Sequence, residues 1–361
     1  MLYWLLYPLA SSVPAFNVFR YITFRSAMSA VTAMLVALTL GPPMIRWLKR
    51  AQVGQSIREE GPKSHLAKAG TPTMGGLLIL LAISTATLLW MDLSNQFVWI
   101  ALGTLLCVGA VGFADDYVKF SKHRNLGLTG RGKLIPQFLV ALAVGWAIEQ
   151  WASHGAFSTV ITFPFLKKLL IDLGILYIPF VAVVVVGSSN AVNLTDGLDG
   201  LAIGAVGIAA GTYAVLAYVT GNAVAARYLQ IPFIPQSGEL AVFCGALVGA
   251  SLGFLWFNCH PADIFMGDVG SLPLGAAIAA VAIMTKQEIL LVIVGGLFVL
   301  EALSVIIQVF SFKTTGKRVF RMAPIHHHFE LAGWAESRVI IRFWILAILF
   351  AVVALSTLKL R

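Results

Sequence analysis

The chain has 361 residues, of which 59% are hydrophobic and 11% charged, with a formal net charge of +9. A soluble domain carries about 25% charged residues, so a pair of soluble domains of this length would lack the charge to coat them. The basic residues are spread over separate loops, which argues against nucleic-acid binding. Cys107, Cys244 and Cys259 show no paired spacing and predict neither a disulfide framework nor a metal site.

From the N-terminus, residues 1–10 contain no basic stretch of the kind that opens a signal peptide, and further apolar segments follow. Uncharged runs at 26–45, 69–91, 93–114 and 201–226 are the clearest of a series. Each can supply the roughly 20 apolar residues of a spanning helix. The chain is read as all-α and polytopic, with spans at 22–45, 73–91, 95–116, 134–152, 169–187, 200–220, 239–257, 269–285, 288–310 and 339–358. The fifth starts beside Asp172, and the eighth is short. No linker, low-complexity tract or repeat divides the chain, so residues 1–361 are read as one domain.

Lys and Arg in the loops set the orientation. The loops after spans one, three and nine carry 16 of them, among them Arg46, Lys49, Lys68, Lys119, Lys133, Lys317 and Arg321. The opposite side has eight at most, including Arg20, Arg25 and Lys359. This predicts that those loops are cytoplasmic and that both termini face outward. Most of the positive charge is this bias; the rest can serve anionic lipids or substrates.

The same loops hold the unusual polar chemistry. Span three ends in Asp115 and Asp116, followed by Lys119. A charge near the bilayer centre costs about 2.5–3.5 kcal/mol. Lys119 stands one helical turn from either aspartate, so an interfacial ion pair competes with a metal, phosphate or proton site. After span five, Asn190, Asn193, Asp196 and Asp199 recur every third position, with Gly197, Leu198 and Gly200 among them. Asp196 capping span six, with Asp199 complementing its dipole, accounts for two of these polar residues but not four. The next loop reads Asn258-Cys-His260-Pro-Ala-Asp263-Ile-Phe265-Met-Gly267-Asp268-Val-Gly270-Ser271, without Lys or Arg. Asp268 is a helix cap or a hard oxygen ligand of the kind that suits Mg²⁺. The last loop carries His326, His327 and His328. Three consecutive imidazoles cannot all point one way on a helix, and the spacing is poor for zinc. Imidazoles facing a phosphate or a base fit better. Lys68 to Gly76, with Thr71 and Thr73, enters span two; it is not a Walker A loop, although such a helix entry can meet phosphate. Carboxylates, histidines and lysines from five loops thus converge on one face, an arrangement that suits a soluble nucleotide reacting with a lipid.

Five stretches in order, Gly70-Thr-Pro-Thr-Met-Gly-Gly76, Asp115-Asp116-Tyr-Val-Lys119, 190–200, Phe265-Met-Gly-Asp268-Val-Gly-Ser-Leu272 and Ala323-Pro-Ile-His-His-His-Phe-Glu330, resemble the phospho-N-acetylmuramoyl-pentapeptide-transferase (translocase I) family of bacterial peptidoglycan synthesis. The resemblance covers essentially the whole chain. The paired aspartates are shared with a branch that transfers N-acetylglucosamine phosphate. The histidine triplet and the Gly-Thr-Pro-Thr-Met-Gly-Gly entry mark the muramoyl-pentapeptide branch. The resemblance implies ten spans in the inner membrane, a cytoplasmic Mg²⁺ site and a homodimer. It implies that UDP-N-acetylmuramoyl-pentapeptide reacts with undecaprenyl phosphate to give UMP and lipid I.

On this reading Asp268 is the metal ligand. Asn190, Asp196, Gly197, Leu198, Asn258 and Phe265 hold the uridine and its phosphates, and Lys68 and His327 meet the diphosphate. Thr71, Lys119, Lys133, Asn193 and Asp199 complete the substrate-binding set. The 323–330 loop, free to fold over the site, selects the donor. Asp115 or Asp116 either positions the lipid phosphate for direct attack or attacks first as a covalent relay. The rival from another class is an ion-coupled transporter, with Glu301 and Asp172 marking its path. Glu301 has no partner that the sequence identifies.

Overall fold

The structure is a computed structural model that describes residues 1–51, 70–122, 127–153 and 157–359. Lys68 lies outside the described residues. Ten apolar helices carry the fold: α1 (Ile22–Arg50), α2 (Gly76–Trp90), α3 (Gln96–Ser121), α4 (Gly130–Ser153), α5 (Tyr177–Thr195), α6 (Leu201–Thr220), α7 (Leu240–Asn258), α8 (Asp268–Met284), α9 (Gly296–Thr315) and α10 (Glu336–Ser356). Eight of the helices in the described residues are individually long and apolar enough to cross a membrane, and α2 and α8 are the two shorter ones. The chain is a polytopic α-helical membrane protein.

The shortness of α8 has a structural cause. Every residue from Val269 to Met284 is buried, with α3 and α5 packed along it. A helix sheathed in protein does not have to match the lipid thickness by itself. The packing of α1 on α7 is set by small residues. Gly245, Gly249 and Gly253 recur one turn apart on α7, and a Cβ on any of them would collide with the backbone of α1 at Ser26, Ala30 or Met34. Such a stripe lets two backbones approach where lipid offers no hydrophobic drive between helices.

The fifth span is displaced from its expected place. Residues 160–172 form an antiparallel hairpin, β1 (Val160–Phe163) with β2 (Leu166–Asp172), pairing Val160 with Asp172 and Ile161 with Ile171. The helix begins at Tyr177 and runs to Thr195. The β-branched run Val-Ile-Thr favours strand, and its partner strand takes up residues 169–172 of the span expected at 169–187. Asp172 closes the hairpin, accepting from Thr159 Oγ1 at 2.5 Å and from the Gly174 amide at 3.0 Å. At the same end of the bundle Arg25 is buried and donates twice to Glu239, at 2.5 and 2.7 Å. Lys286 is buried too, 2.8 Å from Glu288. Two of the cations counted on this side are therefore neutralised internally.

Candidate active site

At the opposite end, the last turn of α3 meets the first turns of α4 and α8. Asp115 and Asp116 are 1% and 3% exposed. Asp116 Oδ2 accepts from the Val269 amide at 2.9 Å, one of the free donors at the start of α8. Asp115 Oδ1 accepts from the Leu128 amide at 2.8 Å, just before α4. Gly112 allows this approach, because a Cβ there would strike the Asp268 carbonyl. Gly267 adopts φ of +74° beside Asp116, a left-handed conformation that favours glycine, and so turns Asp268 toward α3.

Two lysines bind the three aspartates together. Lys119 Nζ lies 2.6 Å from Asp115, 3.2 Å from Asp116 and 3.1 Å from Asp268. The alternatives of pairing with one aspartate or the other are thus both realised, and Asp268 is added. Lys133 Nζ lies 2.5 Å from Asp268 and 3.5 Å from Asp115. On the far side of Asp268, Asn193 Nδ2 donates to its Oδ1 and to Ser271 Oγ, both at 2.8 Å. Carboxylate oxygens of the three aspartates lie within 4.8 Å of one another. Three carboxylates with two ammonium groups leave one formal negative charge. These are clustered hard oxygen donors of the kind that suits a divalent metal, which Asp115, Asp116 and Asp268 would hold.

The α5–α6 turn forms a second wall. Asp196 ends α5, and the residue preceding α6 is Gly200, with φ of +78°. Asp196 therefore does not cap α6. Burial, reinforced by the charges of Asp268, Asp116 and Asp199, pushes its carboxyl up to about 8. Near neutral pH it is largely protonated and can donate as well as accept. Asn190 turns away from the aspartates: its Nδ2 donates to Gln137 Oε1 at 2.7 Å and to the Val186 carbonyl at 2.8 Å. Leu198 is buried. Asn258 ties the turn to the α7–α8 loop, accepting from the Gly200 amide at 3.1 Å and donating to the Ile264 carbonyl at 2.8 Å. Its side chain is thereby a buried brace. Phe265 is held through its backbone, whose amide donates to the Pro72 carbonyl at 2.8 Å and whose carbonyl accepts from Gly75 at 2.9 Å. Thr71 opens that strap. The Phe265 ring is part exposed, and no aromatic ring of the described residues stacks on it.

The histidines correct one expectation. They lie in a short helix, Ile325–Leu331, where a free loop is expected; the rings of His326 and His327 stand 4.1 Å apart between centroids, while that of His328 meets Phe320 edge-on. His328 Nδ1 accepts from the Arg321 amide at 3.2 Å. His327 Nδ1 lies 2.7 Å from Glu330. His326 is fully buried, with Nδ1 3.1 Å from Glu301, itself fully buried in α9. The His326 ring abuts Gly197, where a Cβ would collide with its Nε2. Glu301 is thus an internal neighbour of the histidine helix. The 24 residues between the two hide the pairing in the sequence, as a helix end and an irregular loop intervene. Gln137 is likewise missed, since a lone glutamine in an apolar run carries no signal.

Comparison with known proteins fits this geometry. A profile described as Glycosyl transferase family 4 matches residues 98–286, from within α3 past the end of α8, so the chain is a membrane-embedded transferase of that class. A second profile, phospho-N-acetylmuramoyl-pentapeptide-transferase signature 1, matches residues 68–80. Relatives called phospho-N-acetylmuramoyl-pentapeptide-transferase include one from Koribacter versatilis (strain Ellin345), 56% identical, one from Geobacter sp. (strain M21), 58% identical, and one from Desulfatibacillum aliphaticivorans, 59% identical, each aligned over 100% of both chains. The chain belongs to the phospho-N-acetylmuramoyl-pentapeptide-transferase family.

Proposed function

We propose that the chain transfers phospho-N-acetylmuramoyl-pentapeptide from UDP-N-acetylmuramoyl-pentapeptide to undecaprenyl phosphate, releasing UMP and forming lipid I. The observation that carries this reading is the cluster of Asp115, Asp116 and Asp268 bound by Lys119 and Lys133 where α3, α4 and α8 meet, in a chain of this family. An oxygen of the lipid phosphate bonds to the sugar-side phosphorus, and the bond from that phosphorus to the oxygen leaving with UMP breaks. A phosphate monoester has a second pKa of about 6, so the lipid phosphate is largely dianionic at neutral pH and has little need of a base or a covalent relay. Lys119 and Lys133 fix the aspartates and place positive charge beside the diphosphate. Asp115 and Asp116 position the lipid phosphate. Asp268, with Asp115 and Asp116 beside it, would hold Mg²⁺, which supplies electrostatic stabilisation to transferring phosphoryl groups. Phe265 offers a face for uracil, and protonated Asp196 can bond its edge. The histidine helix favours the muramoyl-peptide donor.

By the charge bias of its loops the site faces the cytoplasm, in a single domain spanning the inner membrane of a bacterium. The enzyme works as a homodimer among membrane lipids. Purified protein given undecaprenyl phosphate and Mg²⁺ with each of two donors tests the reading. UMP release and lipid-linked product are expected with UDP-N-acetylmuramoyl-pentapeptide. Turnover with UDP-N-acetylglucosamine in its place, or ion flux without transfer, would overturn it.

A further inference from the structure

Beside the aspartate cluster lies a second group of polar side chains, contributed by three separate segments. Asp199 sits in the α5–α6 turn, His260 in the α7–α8 loop and Glu336 at the first position of α10. Asp199 Oδ2 accepts from the Ala262 amide at 3.1 Å and lies 3.2 Å from His260 Nδ1. Glu336 Oε1 accepts from the Asp199 amide at 3.1 Å, and its Oε2 lies 3.5 Å from His260 Nδ1. His260 thus stands between two carboxylates, and Asp199 is gripped at both its backbone and its side chain. The position of this clasp gives it a consequence. Asp199 follows Leu198 and is three residues beyond Asp196, on one wall of the site. Ala262 is three residues before Phe265, on the other wall. Asn258 spans the same gap one step further on.

We propose that His260 and Glu336 are positioning residues for the nucleotide donor: through Asp199 they lock the 196–199 turn to the 262–265 segment and so preset the spacing of the uridine-binding walls. The proposal rests on the reading of the site as a UDP-sugar site. The contacts of the clasp join the 196–199 turn to the 262–265 segment, so its loss falls on donor binding.

The test uses full-length enzyme in detergent. His260→Ala and Glu336→Ala each raise the KM for UDP-N-acetylmuramoyl-pentapeptide about three- to tenfold, as expected for one lost, partly exposed polar contact. The KM for undecaprenyl phosphate and kcat stay within about twofold of the wild type. The double variant raises donor KM by less than the product of the single effects, because both residues act on Asp199. His260→Asn, whose amide nitrogen can stand in for Nδ1, and Glu336→Gln, which keeps the acceptor Oε1, restore most of the affinity. Amides of 197–199 and 262–265 exchange faster in the alanine variants, and this readout needs no substrate. A wild-type enzyme inactive with this donor would defeat the functional reading, while exchange would still decide whether the clasp exists. Unchanged donor KM with unchanged exchange would overturn the proposal. So would a fall confined to kcat, or conservative variants as impaired as the alanines.

Discussion

Replacing Glu301 with alanine probes the least expected contact in the molecule. Glu301 and His326 are both 0% exposed, and their nearest atoms are 3.1 Å apart. Neither the carboxylate oxygens nor the imidazole nitrogens make a hydrogen bond, so the two groups meet as close polar neighbours, and removal of the carboxylate leaves the buried imidazole without that neighbour. Losing a polar partner at a buried group costs about 1–3 kcal/mol. The cavity left by the truncated side chain adds to this figure. Because His326 abuts Gly197, the disturbance reaches the 196–199 turn, and a loss of about 2 kcal/mol there lowers kcat/KM about 30-fold. Glu301→Gln conserves volume and an acceptor oxygen, so its loss stays below about fivefold if a hydrogen bond is what matters. The decisive arm is the cycle with His326→Ala: in that background Glu301→Ala costs less than about threefold, since its partner is gone. Steady-state kinetics on the four proteins give the answer. Independent, multiplying losses would refute the pairing, as would a Glu301→Ala enzyme of wild-type activity.

Asp268→Asn keeps the shape of the side chain but removes the charge shared by Lys119, Lys133 and any bound cation, so turnover falls by at least about 100-fold while the protein still inserts and folds; near-normal activity at ordinary Mg²⁺ concentration would dismiss it as the ligand. Phe265→Ala weakens donor binding about fivefold or more through loss of the stacking face, whereas an unchanged affinity for UMP measured by calorimetry would end the stacking assignment. Asp196 has a carboxyl raised to about 8 against about 3.9 when unfolded. Between these values the folded state binds the extra proton, so this residue makes stability fall as pH rises through that window. Asp196→Asn therefore flattens the decline of denaturation midpoint between about pH 5 and 8, and a variant with an undiminished slope would show that Asp196 is ionised throughout.

Much of this was legible in the sequence because membranes impose simple rules. Ten apolar runs predict ten helices, since a backbone in lipid has to satisfy its own hydrogen bonds. The pairing of Lys119 with Asp115 and Asp116 was legible because it lies one turn away; for Asp268 the sequence carried only the convergence of loops on one face, and the contact itself comes from the packing of α8 on α3. Helix periodicity does not extend to contacts made between distant segments. Nothing in an apolar run shows that Asn193 reaches Asp268 while Asn190 turns to Gln137; three residues apart on α5, the two share a face, and the packing of neighbouring helices decides which one meets the site. The fifth span, read as 169–187, begins late because the apolar residues 169–172 belong to a hairpin strand, and hydropathy alone does not separate a short apolar strand from the start of a helix. The histidine helix was not legible because it is only seven residues long, Ile325–Leu331, too short for helical periodicity to show.

The central claim is that the aspartate cluster positions two substrates for direct phosphoryl transfer, with no enzyme-bound sugar phosphate. Incubating the purified enzyme and Mg²⁺ with donor radiolabelled in the sugar phosphate, in the absence of lipid, tests it most directly. Direct transfer predicts that no label stays on the denatured protein and no stoichiometric UMP is released until undecaprenyl phosphate is added. Label retained on denatured protein, with an equal amount of UMP released before lipid, and absent from an Asp115→Asn or Asp116→Asn variant, would contradict it.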